Sequence, residues 1–105
     1  MIFNKIKNKI LSLFFTKILD KLEVLNFSIE KEDDNNIIIS GLSSHSAMSV
    51  SKIKEHIIKD SLCIKVYVQL GVDKGSGRFR YKIYIPKNIK KICFGRTCEL
   101  IYEKI

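Results

Sequence analysis

From Leu62 to Ile85 the residues alternate in character over two consecutive runs, which commits the centre of the chain to pleated strands. Leu62, Ile64, Val66, Val68 and Leu70 share one side of the first run; Phe79, Tyr81, Ile83 and Ile85 share one side of the second. Between them fall Lys65, Tyr67, Gln69, Arg78, Arg80, Lys82 and Tyr84. One face is apolar and the other is cationic with aromatic rings. In register, Lys65, Arg80 and Lys82 are expected to project together, with Tyr67 and Tyr84 as flat surfaces between them. These seven residues are the candidate partner-binding set.

Charge gives that face its meaning. The net charge is +8, and between Lys52 and Arg96 twelve Lys or Arg oppose Glu55, Asp60 and Asp73, a local excess of +9. The one acidic run is Glu30, Glu32, Asp33 and Asp34. Such a field speeds encounter with anionic partners, whether nucleic acid, lipid headgroups or an acidic protein. A solvated basic surface is the plain alternative.

The remaining segments read as short strands. Phe27 and Ile29 alternate, Asp33-Asp34-Asn35-Asn36 forms a polar turn and Ile37-Ile38-Ile39 returns, giving a first hairpin. Val50, Ile53 and Ile57 have helical spacing, yet the turn at Lys59-Asp60-Ser61 leads straight into Leu62 and favours a strand over Ala47 to Ile58. Gly71 to Gly77 is a flexible loop, Pro86-Lys87-Asn88 ends a strand, and Ile89 to Phe94 with Cys98 to Tyr102 form a closing hairpin. A chain of 105 residues with 46% hydrophobic composition can close one modest core. The expected fold is mainly β: a small antiparallel β-sandwich or meander of six to seven strands over residues 26–105, preceded by an amphipathic helix.

That helix is expected over residues 1–25. Phe3, Ile6, Ile10, Leu13, Phe14, Ile18 and Leu22 recur at three- and four-residue intervals, with Lys5, Lys9, Lys17 and Lys21 interleaved. Its apolar run from Ile10 to Phe15 is too short to span a bilayer. Three roles stand for the segment from Phe3 to Leu22: packing on the sheet, lying on a membrane surface, or a degenerate export signal. The compartment accordingly stays open between cytoplasm and the inner-membrane or periplasmic side.

No catalytic set, metal site or cofactor site is expected. Gly71 to Gly77 lacks the Gly-Lys-Ser/Thr ending of a phosphate-binding loop and runs into a strand. Ser43-Ser44-His45-Ser46 puts hydroxyls beside an imidazole without an identifiable orienting carboxylate. Cys63, Cys93 and Cys98 lack zinc-ligand spacing. A two-residue Gly95-Arg96 turn would set Cys93 and Cys98 across a hairpin, where they are either disulfide-bonded in an oxidising compartment or half-buried thiols.

The run Gly77-Arg78-Phe79-Arg80-Tyr81-Lys82-Ile83-Tyr84-Ile85-Pro86, then Ile92-Cys93-Phe94-Gly95 and the ending Leu100-Ile101-Tyr102, resembles small bacterial toxin-immunity proteins, in particular type VI secretion immunity lipoproteins. His45-Ser46 and Leu62-Cys63-Ile64-Lys65-Val66-Tyr67 are similar to the same pattern, so the likeness covers about Ile37 to Tyr102. The chain departs from it in having no Cys after the N-terminal apolar run to accept lipid. The resemblance implies a non-enzymatic antidote that binds a cognate antibacterial toxin and blocks it. The alternative from the residues alone is a small basic nucleic-acid-binding protein using the Lys/Arg/Tyr face.

Overall fold

Eight strands and one 3-10 turn make up the regular structure of the described residues, 16–45, 48–70 and 77–104 of the computed structural model. The strands are β1 (Thr16–Ile18), β2 (Val24–Asp33), β3 (Asn36–Ser43), β4 (Met48–Ile58), β5 (Ser61–Leu70), β6 (Arg78–Tyr84), β7 (Lys91–Phe94) and β8 (Glu99–Glu103). They form two sheets, one of β1, β4, β5, β7 and β8, the other of β2, β3 and β6. The mainly β class is as expected.

The two alternating runs that identify the fold belong to different sheets. Leu62, Ile64, Val66 and Val68 of β5 point inward from the first sheet, and Phe79 and Ile83 of β6 point inward from the second. Ile37 and Ile39 from β3 and Ile92 and Phe94 from β7 complete the core between them. Each fully buried aliphatic side chain contributes about 1.5–3 kcal/mol. The core also has aromatic order: the rings of Phe27 and Phe94 meet edge to face at 5.3 Å, while those of Phe79 and Phe94 stack at 6.2 Å.

All three anticipated hairpins form, the closing one as β7 and β8. Asp33 pairs with Asn36 across the β2–β3 turn, where the Asp33 carboxylate accepts from the Asn35 backbone amide at 2.8 Å. Lys59, at φ +57°, and Asp60 turn β4 into β5.

Three expectations are corrected. The sheets are not wholly antiparallel, because β5 and β7 run parallel from Ser61↔Lys91 to Ile64↔Phe94. The intervening chain crosses to the second sheet as β6 and returns, a connection long enough to bring β7 back in the direction of β5. The strands number eight among the described residues, not six or seven, because β1 adds one at the N-terminal side.

The third correction concerns the N-terminal helix. Thr16–Ile18 is a strand and Lys21–Glu23 a 3-10 turn, and no long helix occurs among the described residues; the part of the expected helix from Phe3 to Phe15 lies outside them. Strand wins over helical spacing here because β5 has an edge to fill. β4 lines one edge along its whole length, β7 reaches only Ile64 on the other, and β1 covers Tyr67 to Gln69 beyond it. The Leu19 amide then donates to the Val66 carbonyl at 2.9 Å, and the Leu19 side chain is fully buried. The Gly71–Gly77 loop likewise falls outside the described residues except for Gly77.

Candidate binding surface

The outer face of the first sheet is assembled by one extra residue. Val50 pairs with Val68 and Lys52 with Tyr67, so Ser51 is inserted as a β-bulge. Its hydroxyl donates to the Tyr67 carbonyl at 3.2 Å. Without that insertion Lys52 would lie opposite Val66, on the core side. With it, Ile53 faces inward opposite Val66 while Lys52, Lys54 and His56 share the outer side with Tyr67, Lys65 and Cys63. The helix-like spacing of Val50 and Ile53 is a strand period of two interrupted once.

The cations on this face gather around an aromatic ring. The Lys52 and Lys54 ammonium groups lie 4.9 and 5.7 Å from the Tyr67 ring centroid. Lys54 stands directly opposite Lys65, a like-charge cross-strand pair that disfavours the ladder. No carboxylate lies within ion-pair distance of Lys52, Lys54 or Lys65 among the described residues. Gln69 extends the row opposite Ser49.

Arg78, Arg80, Lys82 and Tyr84 occupy the outer face of the second sheet, across the shared core. The seven residues expected to form one surface therefore divide into Lys65, Tyr67 and Gln69 on one side and four residues on the other. The reason is connectivity: after Leu70 the chain leaves the first sheet, so β5 and β6 are not hairpin partners. On this second face the cations have counterions. Arg80 reaches Glu30 at 3.9 Å, and Lys82 reaches Glu32 at 3.0 Å, both across β3. A shallow recess of about 310 Å³ lies beside Arg78 and Arg80, bounded also by Asn26, Ser40 and Gly41.

The thiols sit beside the first face. Cys63 and Cys93 are in register on β5 and β7, and Cys63 Sγ lies 3.7 Å from the Gly95 carbonyl. The closing turn spans four residues, Gly95 to Cys98, so Leu100 rather than Cys98 stands opposite Cys93. Gly95 adopts φ +89°, and a Cβ there would come within 2.8 Å of the Asp20 carboxylate. The β7–β8 register corrects the expectation of a two-residue Gly95-Arg96 turn with Cys98 directly opposite Cys93; all three cysteines are free thiols, the second of the two readings expected for the pair. Burial, then the hydrogen bond to Cys98, pushes the Cys93 thiol up to about 11. Burial, then contact with Cys63, does the same to Cys98. Neither is an activated nucleophile.

His45 has the carboxylate that the sequence did not reveal. Glu23 Oε2 lies 2.7 Å from His45 Nε2 and 2.6 Å from the Lys17 ammonium, and Glu23 Oε1 accepts from the Asp20 amide at 3.1 Å. Burial alone would raise this carboxyl; the Lys17, His45 and Asp20 hydrogen bonds outweigh it and hold Glu23 at about 2. Ser43 Oγ accepts from the His45 backbone amide at 3.1 Å, not from the imidazole. The cluster links β1, the 3-10 turn and the β3–β4 connection as a structural clamp. Across the other side Tyr81 donates to Glu55, joining β6 to β4, and its hydroxyl is pushed up to about 12 by burial and then by that carboxylate. Among the described residues no grouping of His, Cys, Asp or Glu is arranged to hold a metal ion.

Comparison with protein families, with curated proteins and with solved structures found no match to this chain.

Proposed function

We propose that this chain is a non-catalytic immunity protein that neutralises a cognate antibacterial toxin by occlusion, receiving an acidic surface of the toxin on Lys52, Lys54, Lys65 and Tyr67. The single observation that carries the reading is the Lys54↔Lys65 pair, without a carboxylate partner among the described residues, beside a lysine-flanked ring. Like charges held across a ladder cost stability, and a bound anionic surface would reverse that cost. A paired, hydrogen-bonded β scaffold suits recognition by preformed shape. The resemblance of residues 37–102 to toxin-immunity proteins supplies the class of partner.

Nucleic acid fits the same face less well. Base stacking needs an open ring, and two ammonium groups already lie against Tyr67.

The test is co-expression with the toxin encoded by the adjacent reading frame. Growth should be rescued by the native chain, lost with Lys52→Glu, Lys54→Glu and Lys65→Glu combined, and retained with Arg80→Glu and Lys82→Glu combined. Rescue by the first variant, with folding verified by circular dichroism, would refute the assignment of this face.

A further inference from the structure

Among the described residues, the first sheet ends in a long strand with one open side. β4 pairs only with β5, and from Ser49 to Ile58 no other backbone hydrogen bond is made among the described residues. Past the Ser51 bulge its register runs uninterrupted from Lys52↔Tyr67 to Ile58↔Ser61. Such an edge is a template for another strand.

The other long edge, β2, differs. Its ladder is broken between Leu25 and Ser28 and again between Lys31 and Asp33, and Asn26 takes φ +53° in the first break. Bulges of this kind turn an edge away from strand addition. β6 is shorter, and its outward cations Arg80 and Lys82 already engage Glu30 and Glu32.

The two rows of side chains on β4 specify what could lie beside it. On the outer side stand Lys52, Lys54 and His56, followed by Ile58, which is 57% exposed. On the inner side Ile53 is half-buried, Glu55 is exposed and accepts from Tyr81, and Ile57 is 62% exposed. An antiparallel second copy of β4 would set the row of Lys52, Lys54 and His56 beside the same basic row. An acidic strand would not.

We propose that the edge of β4 from Lys52 to Ile58 docks an extended segment of alternating acidic and apolar residues as an additional antiparallel or parallel strand. Its acids meet Lys52 and Lys54, and its apolar side chains cover Ile57. The inference rests on the reading of the neighbouring face as the toxin interface, and names the element of the toxin that would bind: an exposed strand or extended tail of that alternating composition.

A blocked peptide of about seven residues alternating Glu and Val tests it on the intact chain, with amide hydrogen exchange resolved by residue. Exchange at alternate β4 amides between Lys52 and Ile58 should slow by about tenfold or more at millimolar peptide, while β2 amides are unaffected. The same peptide N-methylated at every second residue keeps its charge but loses half its donors, and should protect much less. Equal protection by the methylated peptide, slowing confined to other strands, or none at all would overturn the proposal. So would protection of these amides by self-association without peptide, which would assign the edge to a second copy. Failure here, with toxin rescue still lost in the triple lysine variant, removes strand addition and leaves the binding face standing. Protection of β4 by the peptide, with rescue surviving that variant, would instead separate the edge from toxin neutralisation.

Discussion

The two outer faces of this protein carry the same local pattern, cations alternating with core residues and a tyrosine nearby, yet they differ in electrostatic state. On the second sheet, Glu30 and Glu32 of β2 reach across β3 to Arg80 and Lys82. On the first sheet, Lys52 and Lys54 lie against Tyr67 and, like Lys65, have no carboxylate partner among the described residues. The difference teaches that a basic strand is a candidate binding surface only when its spatial neighbours leave it uncompensated. Those neighbours are set by sheet order, not by sequence proximity.

Deleting Ser51 is the strongest way to break the comparison. The Lys52–Ile58 register must then slip, bringing lysines toward the core or costing the far end of the β4 ladder. Unfolding by denaturant should show a loss of about 2–4 kcal/mol, while the Arg80–Glu30 and Lys82–Glu32 side remains the same in any residual fold.

Acid should act on both faces alike, through the clamp that neither contains. Glu23 is held at about 2 against an ordinary 4.5, so the folded chain binds fewer protons there than the unfolded one. Its contribution is complete above about 4.5 and disappears as pH falls toward 2. Allowing for solvent screening, it is about 1–2 kcal/mol. Glu23→Gln should flatten that part of the stability-against-pH curve, and an unchanged slope between these pH values would show that the clamp contributes nothing.

The smallest effect sharpens the contrast most. Lys54→Glu replaces a like-charge pair with an opposite one across from Lys65, and should stabilise the protein by about 0.5 kcal/mol. Lys82→Glu sets a carboxylate against Glu32 and should destabilise by about 0.5–1 kcal/mol. Denaturation midpoints of the two variants should therefore move in opposite directions, and both differences should shrink at high salt. Shifts of the same sign would mean that the faces are not electrostatically distinct.

Much of the fold could be read from residue order. The alternation at Leu62–Leu70 and Phe79–Ile85 identifies inward side chains, and the Asp33–Asn36 turn and the Lys59-Asp60 turn identify the first two hairpins, because these are local signals of pleat and turn. The candidate site was legible only in half. Lys65, Tyr67 and Gln69 do share a surface, but Lys52 and Lys54 join it through a bulge whose only trace in the chain is a three-residue step between Val50 and Ile53. Glu23 lies 22 residues before the His45 it orients, a separation that no local spacing signals.

Residue order by itself determined the β class, the apolar sides of the strands and the excess of positive charge, since each follows from alternation and composition along a short stretch. Tertiary structure alone decided that β5 and β6 lie in different sheets, that β7 returns parallel to β5, and that Arg80 and Lys82 are neutralised while Lys52, Lys54 and Lys65 have no carboxylate partner among the described residues. Those outcomes depend on which strand edges find partners, a competition among distant segments for the same hydrogen bonds and the same core.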